Sequence, residues 1–298
     1  MPTAYQKLLD ATFRHLEDLR ARGIRHVPVA PATLEALRTP LRPRPASPPV
    51  PSRPPVAATS ASTPVKPAPA ATPASSAMSA QTEKNIPSAD REAALAQLAR
   101  RVAACVQCPH LAASRHHTVF GIGAPSAALM FVGEAPGADE DARGEPFVGR
   151  AGQLLTKIIQ TMGLSRAEVY IANILKCRPD TPGRRSGNRK PTPTEMVTCL
   201  PYLEEQIRVI QPRVLVALGM TAVEGLLGKQ AAGPSLGRLR GRWLEFRGIP
   251  LMPTYHPAYL LRNQAPSEKR KVWEDMLLVM ERLGLPISDK QRRYFLNK

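Results

Sequence analysis

No stretch of 18 apolar residues occurs anywhere in the 298-residue chain, so no transmembrane helix is expected. The opening Met1-Pro2-Thr3-Ala4-Tyr5-Gln6-Lys7, followed by Asp10, Glu17 and Asp18, lacks the apolar core of a secretory signal. It also lacks the acid-poor composition of a transit peptide, and the expectation is a cytoplasmic protein without membrane attachment. No internal repeat is present, which removes solenoids and propellers from consideration. Cysteine is scarce: only Cys105, Cys108, Cys177 and Cys199 occur. In a cytoplasmic chain these read as metal ligands or reduced thiols rather than disulfides. Acids are the minority charge, with 24 Asp and Glu against 41 Lys and Arg, a formal net charge of +17.

That charge is shared, +6 on residues 1–86 and +11 on residues 87–298. A polyanionic partner is the natural counterpart, because each phosphate neutralised by Lys or Arg releases counterions. A merely solubilising basic surface would look the same by composition. Tyr5, Leu8, Leu9, Phe13, Leu16 and Leu19 recur at spacings of three and four, an amphipathic helix over residues 5–20. So short a helix is marginal alone and is expected to dock on this domain or on another protein. From Pro40 to Pro73 there are 12 prolines in 34 residues, a composition that builds a disordered, extended tether rather than a core. The expected organisation is therefore a helical segment over 1–39, a Pro/Ala-rich linker over 40–86 and a folded domain over 87–298.

Within the domain, short apolar strands alternate with amphipathic helices. Strands are expected at Leu129–Val132, Val169–Ile174, Val214–Leu218 and Leu251–Thr254. Helices are expected at Ala89–Ala103, Gly152–Met162, Thr194–Ile210, Thr221–Leu227 and Glu268–Leu283. This order implies a three-layer α/β/α fold around a four-stranded parallel sheet. Ligands of such sheets bind beyond the carboxyl ends of the strands, and the motifs below fall there.

After the first strand comes Gly133-Glu134-Ala135-Pro136-Gly137-Ala138-Asp139-Glu140-Asp141. Its glycines and proline make a tight turn that lets backbone N–H groups approach a ligand, but its four acids do not suit a phosphate cradle. Gly144-Glu145-Pro146-Phe147-Val148-Gly149-Arg150-Ala151-Gly152 then presents one aromatic ring, Phe147. An ordinary acidic turn with Phe147 in the core is the competing view. The second strand ends in Asn173, shortly before Lys176-Cys177-Arg178-Pro179. A carboxamide both donates and accepts, so it can read an imide edge such as uracil O4 and N3–H. The fourth strand runs into His256-Pro257-Ala258-Tyr259-Leu260-Leu261-Arg262-Asn263. There a histidine stands at a strand end, and exposed leucines beside an arginine suit entry into a duplex with Arg262 on phosphate. The plainer view is a helix started by His-Pro with its leucines buried. No role is assigned to His15, His26, His110, His116 or His117. Cys105 and Cys108 form one close pair, whereas 21 residues separate Cys177 from Cys199. Spacing supports a four-Cys metal site, and by itself fits an iron–sulfur cluster and a structural zinc equally.

Together these motifs resemble the family 4 uracil-DNA glycosylases, the iron–sulfur branch of the uracil-DNA glycosylase superfamily. The resemblance runs from about Cys105 to Trp273 and includes Arg240-Gly241; the first hundred residues lie outside it. It implies a [4Fe-4S] cluster on Cys105, Cys108, Cys177 and Cys199, structural or touching DNA rather than a redox catalyst. It implies uracil-containing DNA, single- or double-stranded, as the partner, and a monomeric base-excision repair enzyme. By position, Phe147 would stack on the flipped base, Asn173 would pair with N3–H and O4, and Gly133 and Ala135 would line the site. Glu140 would crowd C5 and keep out thymine's methyl. His256 would bond O2 as charge builds on the leaving base, and Leu260, Leu261 and Arg262 would enter the duplex. A well-studied branch of the superfamily carries an aspartate one residue after the position matched by Glu134; here that place is Ala135, leaving Glu134 as the candidate for positioning water.

Two rivals are distinguishable. Relatives that capture uracil covalently carry a histidine in a basic loop, and the matching stretch 182–191 is basic but has none, so turnover is expected. A non-catalytic, metal-stabilised DNA-binding module would leave Glu134, Phe147, Asn173 and His256 without use. If residues 1–86 only recruit a partner, their deletion will leave excision on naked uracil-DNA at the full-length rate in a gel assay. An inactive truncation would contradict this organisation.

Overall fold

The computed structural model describes residues 88–180, 188–231 and 233–296. The helix expected over residues 5–20, the proline tether over 40–86 and residues 181–187 lie outside the described residues.

In chain order the elements are α1 (Ser88–Ala103), α2 (Pro109–Ser114), β1 (Ile122–Gly123), β2 (Leu129–Gly133), α3 (Ala138–Arg143) and α4 (Arg150–Thr161). There follow β3 (Tyr170–Asn173), α5 (Pro193–Ile210), β4 (Val214–Leu218), α6 (Met220–Leu227) and α7 (Leu236–Leu239). The chain continues with β5 (Leu244–Phe246), β6 (Ile249–Thr254), α8 (Pro257–Arg262), α9 (Pro266–Leu283) and α10 (Asp289–Arg292). Among the described residues no helix is long and apolar enough to cross a membrane.

The sheet order is β1-β3-β2-β4-β6-β5. β3, β2, β4 and β6 are parallel, as expected. The expected four strands become six, because β1 and β5 add antiparallel edges to β3 and β6. Both edges are two or three residues long, too short for their alternation to register in the sequence. The chain leaves β2 for β3 on one side and returns to β4 on the other, so strand order reverses between β2 and β4. The carboxyl ends of those two strands therefore open onto the crevice where such folds bind ligands.

Alternation divides the core between the two faces. Met130, Val132, Tyr170, Ala172, Leu215 and Ala217 pack with Leu203, Ile207, Val223 and Leu226 from α5 and α6. Leu129, Phe131, Ile171, Val214 and Val216 pack with Leu155 and Ile159 from α4 and Met276, Val279 and Met280 from α9. Both faces are covered, which is why β2 and β4 are apolar at nearly every position. α5 begins at a capping box in which Thr192 Oγ1 accepts from the Glu195 N–H and the Glu195 carboxylate accepts from the Thr192 N–H.

The end of β6 is held by a buried ion pair. Asp275 on α9 is fully buried and accepts from Arg240 Nε at 3.1 Å, Arg240 Nη2 at 2.8 Å and Thr254 Oγ1 at 2.6 Å. Arg240 also donates to the Lys271 carbonyl. Burial raises the Asp275 carboxyl to about 6, with Thr254 and Arg240 opposing. Removing Arg240 strands an interior charge, so Arg240→Met should cost about 3–5 kcal/mol of stability near neutral pH. The raised carboxyl makes the folded form bind the extra proton between about 6 and the ordinary 3.8, so stability rises as pH falls through that window. Urea unfolding should show the variant regaining part of its deficit on acidification; a pH-independent deficit would contradict this origin.

Candidate active site

Three side chains from distant segments meet at the carboxyl end of the sheet. Gly133 ends β2, and a Cβ placed on it would lie 2.3 Å from Asn173 Oδ1 and 2.5 Å from Phe147 Cζ. Glycine is thus required here by close approach, and the amide and the phenyl ring flank one point. The Phe147 and His256 ring centroids are 5.6 Å apart and tilted by 30°. Ring, amide and imidazole therefore border a single slot.

Phe147 is held unusually. Its φ of 54° is a left-handed conformation that a bulky side chain adopts only when its surroundings impose it. Those surroundings are visible. Arg166 donates to the Pro146 carbonyl at 2.8 Å and the Phe147 carbonyl at 3.2 Å. Gly152 passes so close to the Phe147 backbone that a Cβ would overlap the Phe147 carbonyl oxygen. Glu140 accepts from the Gly137, Val148 and Gly149 N–H groups, each at 3.0 Å. The Glu140 carboxylate, expected to press on a base, is thus committed to three backbone donors and fixes the loop that carries Phe147. Phe147 is also 6% exposed and part of the core on the α4/α9 face, as the plainer view of it from sequence expects.

Asn173 closes β3 and is 2% exposed. Its Oδ1 is the one buried side-chain nitrogen or oxygen among the described residues with no hydrogen-bond partner. Leaving a buried acceptor unmatched costs about 1–3 kcal/mol. The Glu134 carbonyl, by contrast, accepts from the Leu175 N–H, while its side chain enters no hydrogen bond or ion pair among the described residues.

His256 caps the amino end of α8, where its Nδ1 accepts from the Ala258 N–H at 3.1 Å. That bond assigns the lone pair to Nδ1 and the proton of the neutral ring to Nε2. Burial, then the positive charge of Arg262, lower the imidazole to about 4, with Glu140 opposing. At neutral pH the ring is an uncharged N–H donor. Gly219, at φ 91°, follows β4 and would place a Cβ only 3.2 Å from His256 Cβ.

The segment after His256 is corrected. It is the helix α8 rather than an exposed loop, and Leu260 is 4% exposed. The turn begun by His256-Pro257 directs Leu260 inward, so Leu260 is not free to enter a duplex as it stands. Leu261 is half-buried and Arg262 exposed, and these two remain on offer.

The four cysteines line one pocket with Leu111, Arg115, Leu175 and Tyr202. Arg115 Nη1 donates to Cys177 Sγ and the Lys176 N–H donates to Cys199 Sγ, both at 3.2 Å. Burial raises Cys108 and Cys177 above the ordinary thiol range and pushes Cys199 up to about 11. Among the described residues no three Cys, His, Asp or Glu side chains close to the spacing that holds a single metal ion.

Sequence reasoning missed Arg166, whose role depends on a fold that brings it to Pro146, and the histidines next to the sheet. His116 Nδ1 and the His116 N–H bind the buried Asp141, and His110 binds Glu195. Nothing in their local sequence marks them.

The family model of the uracil DNA glycosylase superfamily matches residues 120–277, a span that contains Phe147, Asn173 and His256. The chain belongs to this superfamily. Within it the chain falls with the type-4 glycosylases. It is 42% identical over 189 residues to the type-4 uracil-DNA glycosylase of Thermotoga maritima, covering 62% of this chain and 93% of that one. It is 39% identical over 193 residues to the type-4 enzyme of Sulfurisphaera tokodaii, covering 63% and 84%. To that of Archaeoglobus fulgidus it is 37% identical over 190 residues, covering 60% and 92%. These matches cover most of each relative's own length.

The glycosylase site predicts a neutral His256. A histidine-resolved NMR titration should find its midpoint near 4, and a midpoint at the ordinary 6.5 would contradict the geometry. Because the unfolded chain takes up this proton first, His256 contributes a loss of stability as pH drops from about 6.5 to about 4, opposite in sign to the contribution of Asp275.

Proposed function

We propose that the chain excises uracil from DNA, flipping the nucleotide into the slot and hydrolysing its N-glycosidic bond to leave an abasic site. The observation that carries this reading is the unmatched Asn173 Oδ1, buried beside an aromatic ring and an uncharged imidazole. The N3–H of uracil supplies the missing donor, and the same carboxamide can donate to O4. Cytosine presents an amino group where uracil presents O4, a mismatch of order 1–3 kcal/mol in a buried site. Phe147 stacks on the base. The loop fixed by Glu140 forms the wall that a 5-methyl group would meet, so Glu140 excludes thymine through the loop it holds.

As the C1′–N1 bond breaks, its electron pair stays with the base and positive character grows on the sugar. His256, with its proton on Nε2, bonds O2 as that oxygen gains charge, stabilising the transition state more than the ground state. A water adds to C1′ through its oxygen, and the proton it loses neutralises the departing uracil anion, so that uracil and an abasic sugar are released. The Glu134 side chain, without protein partners among the described residues, positions that water. Arg262 and Leu261 meet the DNA beside the flipped nucleotide, on a domain whose net charge favours phosphate. Uracil that is mispaired or single-stranded costs least to extrude.

Cys105, Cys108, Cys177 and Cys199 would hold a [4Fe-4S] cluster. Thiols spread around a pocket suit a larger inorganic core, and the donors on Cys177 and Cys199 suit thiolate charge. The bound cluster would tie α1, α2, α5 and the segment after β3 together as a structural crosslink. A monomer in the cytoplasm, with residues 1–39 recruiting a protein partner, completes the proposal.

An oligonucleotide assay tests it. The protein should create alkali-labile sites at uracil and form no SDS-stable adduct. His256→Ala should lower the rate by roughly 10²–10³, Asn173→Ala should also depress it severely, and both should bind duplex nearly as before. Full activity in both variants would refute the site. Purified protein should be coloured and contain iron; a colourless, zinc-containing protein would refute the cluster.

A further inference from the structure

The reaction as derived leaves one buried charge unused. Lys176 is 1% exposed, and a lysine is retained in an interior only where its ammonium is matched. Its Nζ donates to the main-chain carbonyl of Asn173 at 3.0 Å and to Gln206 Oε1 at 2.6 Å. Gln206, fully buried on α5, turns its own amide protons to the Phe120 carbonyl at 2.9 Å and the Tyr170 hydroxyl at 3.1 Å. The ammonium is therefore fixed from behind by a glutamine that is itself fixed from two sides. What it grips in front is the backbone of the residue whose side chain holds the unmatched acceptor.

The grip falls where the sheet gives out. β3 ends at Asn173, and among the described residues the backbone beyond it is held by Ile174 N–H to the Gly133 carbonyl, Leu175 N–H to the Glu134 carbonyl and the Lys176 carbonyl to the Val119 N–H. A carboxamide can read a base only if its plane is preset, and a strand end frays unless its carbonyls are engaged. A charged donor makes a stronger and more directional bond to that carbonyl than a neutral one would.

We propose that Lys176, backed by Gln206, is a positioning residue for base recognition, clamping the main chain of Asn173 so that its amide faces the slot in one orientation. The proposal rests on the reading that Asn173 binds uracil. It accounts for a buried charge that an apolar side chain could otherwise replace at no loss to packing.

The test is a double-mutant cycle on the full chain, with Lys176→Met made in the native and in the Asn173→Ala backgrounds. With Asn173 present, Lys176→Met should weaken binding of free uracil and lower kcat/KM for uracil-DNA by at least about tenfold. Affinity for duplex carrying an abasic site should change by less than about twofold, because that ligand lacks the base. In the Asn173→Ala background, Lys176→Met should cause no further loss of kcat/KM. Should the single substitution misfold, Lys176→Met with Gln206→Leu removes both polar partners and carries the same expectation. Equal losses in the two backgrounds, or parallel losses of uracil and abasic-duplex binding, would mean a general structural role and overturn the proposal. Undiminished uracil binding would overturn it too. A native protein that neither binds uracil nor cuts uracil-DNA would instead bring down the reading beneath it.

Discussion

One atom organises the slot: the Asn173 carboxamide oxygen, buried and unmatched, held against a glycine that has no side chain to fill the space. An interior normally pairs every such acceptor. Here the cost is tolerated because the surrounding groups are themselves over-determined. Three backbone N–H groups fix Glu140, Glu140 fixes the Phe147 loop, and Arg166 holds the same loop from the other side. The left-handed conformation of Phe147 is the strain that remains.

The electrostatics follow the same division. Where a proton must be offered, the structure keeps the donor neutral: His256 is desolvated and faces Arg262, and its Nδ1 is occupied by a backbone N–H. Where charge is buried, it is paired and used to fix the backbone, as Arg240 with Asp275 fixes the end of β6 and Lys176 with Gln206 meets the end of β3. The two strands that deliver His256 and Asn173 thus end in polar anchors, while β2 ends in Gly133 and Gly219 comes directly after β4.

Much of this was legible in the chain. The four parallel strands show as short, largely apolar runs because both of their faces are covered, and the long helices show as amphipathic stripes. Strands of two or three residues carry no period, so β1 and β5 were invisible. Asn173 and His256 stood out because one closes a parallel strand and the other comes just after one, and Phe147 because it is the one aromatic ring of the loop before a helix. What failed depended on three-dimensional neighbours. Leu260 reads as exposed beside Arg262, but the helix begun at His256-Pro257 turns it inward. Glu140 reads as a free carboxylate, and only the fold brings Val148 and Gly149 to it. Lys176 reads as one more cation in a basic protein, and its burial is set by α5 thirty residues away.

The central claim is that a donor from the base completes Asn173. Calorimetric titration of the protein with uracil and with 3-methyluracil, which differs only in lacking the N3–H, addresses it directly. The account predicts that uracil binds and that methylation at N3 weakens binding at least tenfold, on the order of 1–3 kcal/mol for an unmade buried hydrogen bond plus the added bulk. Equal affinity for the two bases would contradict it.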